Sequence, residues 1–289
     1  MSGNALLRDP IRYEVLPFPR AEREAAQTDG PLSLTVTCSP RHGIDASLDV
    51  AERLRAMGHR IILHLAARMV RGEGHLGEIL RRLRGMDADD VFLVGGDAPE
   101  ALGPYPSGVA LIEALRAHAL APRVIGVPAY PEGHPTIDDD VLARALASKA
   151  RYADYMTTQV CFEPDVLLGW IARTRAAGID LPVYAGVPGA VERRRLLEVS
   201  LRVGVGASVR ALRRQRGVRR LATGAASAPL IQAIDPLIGG DLGIAGYHVF
   251  TFNDLVGSVR EMPPAPGAGL STRSSTSAGD AVGRAASAR

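Results

Sequence analysis

Glu14 lies in the stretch YEVL (13–16), flanked by apolar residues. A carboxyl group facing an apolar interior has little water to stabilise its charge. Its pKa is therefore expected to rise toward the range a general acid needs near neutrality. Other polar residues close short apolar runs in the same way: Thr37, His64, Asp97, the segment Tyr130 to His134, Gln159 and Asn253. Each has a plainer reading. A carboxylate at a strand end can be a cap or an ion-pair partner, and a lone histidine such as His64 or His248 can be a hydrogen-bonded core residue. The densest of these stretches is VPAYPEGHP (127–135), where three prolines surround a tyrosine, a glutamate and a histidine. Prolines stiffen a segment, so little entropy is lost when it grips a flat ligand.

The elements that must position these residues alternate. Apolar runs at YEVL (13–16), LSLTVT (32–37), RIILHL (60–65), DVFLVG (90–95), RVIGV (123–127), YMTTQV (155–160), PVYAG (182–186) and YHVFTF (247–252) read as strands. Helical patterns lie between them near 47–57, 74–86, 107–119, 138–151, 164–177, 190–202, 205–215 and 225–240. Ser107 is placed to cap one helix, and Asp138, Asp139 and Asp140 favour the start of another. Alternating strands and helices predict a parallel sheet. This many units in a chain of this length fit a single-domain (β/α)8 TIM barrel over residues 9–262, with catalytic groups at the carboxyl ends of the strands. A doubly wound open sheet is the structural rival, but its G-x-G-x-x-G fingerprint is missing after the first strand. From 263 to 289 the chain is rich in Ser, Gly, Ala and Pro and is expected to be a disordered tail.

Composition narrows the function. The net charge is +3, and Lys149 is the single lysine among many arginines. The basic runs RRLR (81–84) and RRQRGVRR (213–220) carry no interleaved aromatic, so they read as solvated helix faces and no nucleic-acid partner is expected. The two cysteines, Cys38 and Cys161, form no disulfide framework and lack metal-ligand spacing, so no metal site is read and a reducing, cytoplasmic setting is expected. No signal-peptide core and no apolar run of spanning length is read, which predicts a soluble protein with no membrane partner.

Several stretches have recognisable company. YEVLPFPR (13–20) resembles the F-E-F-F-P-P-R opening of the methylenetetrahydrofolate reductase family. VGGDAPE (94–100), VPAYPEGHP, DYMTTQVCFEPD (154–165) and YHVFTFND (247–254) resemble that family's later motifs, in its order and at its spacing. The resemblance implies a barrel that binds FAD without a Rossmann motif, NADH or NADPH as co-substrate, a folate as small-molecule substrate, and self-association into homo-oligomers. It implies reduction of methylenetetrahydrofolate to methyltetrahydrofolate. Glu14 corresponds to the general acid, Asp97 to a carboxylate near flavin and pterin, and Gln159 to an amide contacting pterin or nicotinamide. Thr37, His64, Tyr105, Ser107, Tyr130, His134 and Lys149 fall at or near the family's FAD contacts. For Lys149, an ammonium beside a pyrophosphate is physically sensible, and a surface helix lysine is the plainer alternative. The sequence also departs from the pattern. Gly95 stands where the family has an arginine, Leu142 where it has an aspartate, HLAAR (64–68) where it has H-L-T-C, and Asp254 where it has a final arginine; AGVPGAVERR (185–194) has no stacking aromatic. These departures leave open a flavin-independent or reverse-direction relative, or a non-catalytic folate- or flavin-binding protein.

Overall fold

A computed structural model describes residue 7 and residues 9–38, 41–190 and 227–263 of the chain. The helices expected near 190–202 and 205–215 fall on 191–226, outside the described residues, as do the run 213–220 and residues 264–289. The strands are β1 (Ile11–Val15), β2 (Ser33–Val36), β3 (Arg60–Ala66), β4 (Asp90–Val94), β5 (Val124–Ala129), β6 (Tyr155–Thr158), β7 (Val183–Pro188) and β8 (Ile244–Phe250). They pair in sequence order, all parallel, and β8 closes on β1, so the fold is the expected (β/α)8 barrel. The described helices are α1 (Pro19–Ala25), α2 (Gly43–Ala56), α3 (Glu73–Gly85), α4 (Gly108–Ala117), α5 (Asp139–Ala150), α6 (Pro164–Ala176), α7 (Ala228–Ile234) and α8 (Leu255–Glu261).

Helix and strand periods decide which side chains go where. On α2, Ile44, Leu48, Ala51 and Leu54 recur at helical spacing and are all buried. They join the large core between helices and strands, with Leu34, Leu63, Leu65 and Leu93 on the strands' outward side. Each fully buried leucine contributes about 1.5–3 kcal/mol of transfer free energy. Two helix starts are fixed by side chains. Ser107 Oγ accepts from the Ala110 amide at 3.3 Å, as its position predicts, and an Asp254 carboxylate oxygen accepts from the Gly257 amide at 2.9 Å. The second start explains Asp254 at the end of the last strand motif: it opens α8.

The alternate residues on each strand face the barrel interior, where a second, smaller apolar cluster forms from Ile62, Phe92, Val124, Tyr155 and Tyr184. Gly126 makes room for it. A Cβ at that position would sit 2.1 Å from Tyr155 Cζ. Below this cluster, at the amino ends of the strands, Arg12 (2% exposed) meets Asp90 (0% exposed) at 3.3 Å. The Arg12 guanidinium carbon lies 4.2 and 3.9 Å from the ring centres of Tyr155 and Tyr184. The Tyr155 hydroxyl donates to Asp90 at 2.9 Å. The interior thus has a charged floor, an aromatic and aliphatic middle, and a polar mouth.

β5 runs two residues further than the apolar run predicts and takes in Pro128. A proline lacks the N–H of a central strand position. Here the described β4 pairing ends at Gly126, while Pro128 and Ala129 pair only with Thr157 and Thr158 of β6. The missing donor falls where one side of the ladder has already opened.

Candidate active site

Glu14 of β1, His64 of β3 and His248 of β8 converge at the mouth end of the interior. Glu14 Oε2 lies 3.3 Å from His248 Nε2 and 3.7 Å from His64 Nε2. Both imidazoles pack on aromatic rings. His64 lies 4.8 Å from the Phe92 ring centre, and His248 lies 6.1 Å from Phe92 and 4.9 Å from Phe250. Burial pushes the His64 pKa down to about 4, against the pull of the Glu14 charge. The expected rise at Glu14 does not occur. Burial does push its pKa upward, but the hydrogen bond with His248 and the charges of His64 and His248 outweigh it, and the net shift is downward. His64 is neutral above about pH 4, so at neutral pH the contact with His248 is the contribution that persists.

A second group occupies the rim. The Tyr130 and His134 rings meet edge to face at 5.3 Å. Burial raises the Tyr130 pKa and the Asp97 charge adds to it; burial lowers that of His134 while Asp97 opposes it. Asp97 itself is exposed. The YPEGHP stretch is a tight turn: the Gly133 amide donates to the Tyr130 carbonyl at 3.1 Å, and Gly133 has φ +80°, a conformation that favours glycine. Glu132 Oε1 accepts from the Phe162 amide at 3.3 Å, tying the loop after β5 to the loop after β6.

The remaining expected residues scatter along the same rim. Thr37 is buried, with its amide bonded to the Val15 carbonyl at 3.0 Å and its hydroxyl without a hydrogen-bond partner among the described residues. Tyr105 is packed in the main core, and Ser107 is committed to capping α4. Gln159 turns its side-chain oxygen onto the next amide, that of Val160, at 2.9 Å. Lys149 is not a surface lysine: it is 8% exposed, and burial pushes its pKa down to about 8. Its Cδ stands 3.8 Å from where a Gly108 Cβ would lie, at the amino end of α4, and its side chain makes no hydrogen bond or ion pair among the described residues. A buried ammonium without a carboxylate, beside a capped helix start, suits a phosphate group. Glu14, Asp97 and Gln159 form no hydrogen bond or ion pair with one another. The structure brings Glu14 together with His64, and Asp97 near Tyr130 and His134.

Two residues gain roles that the motifs did not indicate. His248 is the direct partner of Glu14; the alternation in YHVF, with Tyr247 and Val249 in the outer core, was the available signal. Arg68, in the departing HLAAR stretch, donates to the carbonyls of Ala98, Pro99 and Pro106 at 2.6, 2.5 and 3.1 Å. It holds the loop that follows β4.

The sequence profile described as methylenetetrahydrofolate reductase matches residues 19–197. Methylenetetrahydrofolate reductase 1 of Schizosaccharomyces pombe is 35% identical over 79 residues, which cover 27% of this chain and 13% of that protein. Methylenetetrahydrofolate reductase 2 of Saccharomyces cerevisiae is 34% identical over 67 residues, 22% of this chain and 11% of that protein. The aligned stretches therefore span a small part of these longer relatives. Glu14 and His248 lie outside the span of the profile match.

Proposed function

The chain belongs to the methylenetetrahydrofolate reductase family, and from that premise we propose that it is an oxidoreductase that reduces 5,10-methylenetetrahydrofolate to 5-methyltetrahydrofolate at the barrel mouth. The observation that carries the reading is the family match over 19–197 lying on a closed barrel whose mouth gathers a carboxylate and two imidazoles. Bound FAD would accept a hydride from NADH or NADPH and pass it to the one-carbon unit. The chain supplies binding, orientation and a proton. Lys149 and the start of α4 would hold the pyrophosphate, with Thr37, Tyr130 and His134 lining the flat part of the pocket. Glu14 would deliver the proton to a substrate nitrogen, and His248, whose Nε2 lies 3.3 Å from Glu14 Oε2, would be the neighbour that passes it one. Asp97 and Gln159 would orient the pterin at the rim. Gln159 must first release the Val160 amide to do so.

One structural feature supports a second reading, hydride transfer from the nicotinamide to the folate without flavin. Arg68 spends its guanidinium on loop carbonyls, and Gly95 brings no side chain to the pocket. Lys149 is then the main cationic hold for a dinucleotide phosphate. The absorbance spectrum of the purified protein separates the readings. A flavin band together with NAD(P)H-dependent folate reduction supports the first, and turnover without bound or added flavin supports the second. A folded protein that turns over no folate in either direction, with or without FAD, refutes both.

A further inference from the structure

Glu14, His64 and His248 each present one ligand atom, and these atoms all lie within 4.8 Å of one another. We infer that this triad is a binding site for a divalent transition-metal ion of the zinc type. Imidazole nitrogen and carboxylate oxygen are the donors such ions take, at about 2.0–2.2 Å. Tetrahedral placement of donors at those lengths sets them roughly 3.3 Å apart. The Glu14–His248 separation is 3.3 Å and the Glu14–His64 separation 3.7 Å, and the two ring nitrogens lie within 4.8 Å of each other, so closing the set draws the two rings together.

Three further observations point to a ligand. His64 is 9% exposed, and its Nε2, the atom turned toward Glu14, has no hydrogen-bond partner among the described residues. Native interiors leave few such atoms without a reason. The Thr35 hydroxyl, on the residue paired with Glu14 across β1 and β2, is buried and also without a partner. Both imidazoles are held against the Phe92 ring, so their nitrogens are already directed and little rotamer freedom is lost on binding. The aromatic and aliphatic middle of the barrel, with Ile62 and Phe92, lies beneath the site. Three protein ligands leave at least one position open, the pattern of an ion that meets exogenous molecules rather than one that only braces a fold. An ion here would occupy Glu14 and His248, so metal occupancy and the proposed folate reduction exclude each other.

The test is made on the full chain, purified without metal and freed of adventitious ions by a chelator. Titration with Zn²⁺ by calorimetry and with Co²⁺ by visible absorption should each show one ion bound per chain. Bound Co²⁺ should give the intense bands of a low-coordinate nitrogen and oxygen site. Glu14→Gln, His64→Gln and His248→Gln should each weaken binding by more than the roughly 10- to 100-fold lost with an outer-shell partner, while His134→Gln should leave it unchanged. Wild-type protein that is folded by circular dichroism yet binds neither ion more tightly than about 0.1 mM overturns the inference. So does a bound-Co²⁺ spectrum like that of the hydrated ion, a result that needs no variant, and so does binding that survives all three triad substitutions. Because binding is read on the protein alone, the result stands apart from the proposed reductase activity: absence of turnover leaves the metal site intact, and absence of metal leaves the reductase reading intact.

Discussion

Replacing Asp90 with asparagine isolates the charge in the barrel floor. The amide retains an oxygen for the Tyr155 hydroxyl, which now donates to Oδ1 at 2.9 Å, and nearly the same volume. What changes is the situation of Arg12, 2% exposed and 3.3 Å from the lost carboxylate oxygen. Its guanidinium stays protonated and is left with the faces of Tyr155 and Tyr184. Those contacts, worth about 2 kcal/mol each when desolvated, exist before and after the substitution and so do not offset it. Leaving one member of a buried pair without its partner costs about 3–5 kcal/mol. In a domain of this size that is roughly 6–20 °C in Tm. Guanidinium unfolding of the single variant, with Arg12→Met/Asp90→Asn alongside, measures the loss. The double variant should recover most of the loss, since both charges leave together. A loss under about 1 kcal/mol for Asp90→Asn, or a double variant no better than the single, would refute charge compensation as what holds Arg12.

Further outcomes are expected elsewhere in the molecule. Glu14→Gln should lower kcat for folate reduction by about 10²–10⁴-fold with a smaller change in KM, the size of a lost general acid; a variant with most of its rate intact sinks that role. Lys149 has a folded-state pKa near 8 against an ordinary value of 10.5, so its ammonium costs the free protein stability below pH 8, and that cost disappears as pH rises past 10.5. Lys149→Met should therefore unfold about 2–4 kcal/mol later at pH 7, yet bind FAD or NAD(P)H roughly 10- to 100-fold more weakly. Dinucleotide affinity of the parent should itself fall as pH climbs through 8, as read by equilibrium titration. Burial pushes the Cys38 thiol up to about 11 and that of Cys161 higher still. Both should react slowly with an alkylating reagent in the native protein and fast in denaturant. Gly126→Ala should cost about 1–3 kcal/mol in unfolding free energy, because its methyl group would overlap the Tyr155 ring.

The strands were legible because buried parallel strands read as short apolar runs, and all eight appear within a few residues of their expected places. The short helices α1 and α8 were not read. Seven residues give too little of a 3.6-residue period to stand out from a loop, and both helices depend on context: Pro19 starts the first, and the Asp254 cap starts the second. The site was legible in its parts. Glu14 and His64 could be picked from strand ends, yet their meeting with His248 depends on barrel closure, which sets β8 beside β1. The direction of the Glu14 shift was misread for the same reason: the apolar neighbours in the sequence were visible, and the imidazole from the far end of the chain was not. Lys149 shows the reverse case. Its burial depends on α5 packing beside α4, and no local pattern near SKA distinguishes it from a solvated helix position.

The stoppered amino end of the barrel has a consequence for traffic. With Arg12, Asp90, Tyr155 and Tyr184 packed across the interior, a ligand bound at the mouth would leave by the side from which it came. The two proposed readings therefore part here: reduction relayed by a flavin would let nicotinamide and folate occupy the mouth in turn, and direct transfer would need room for both at once.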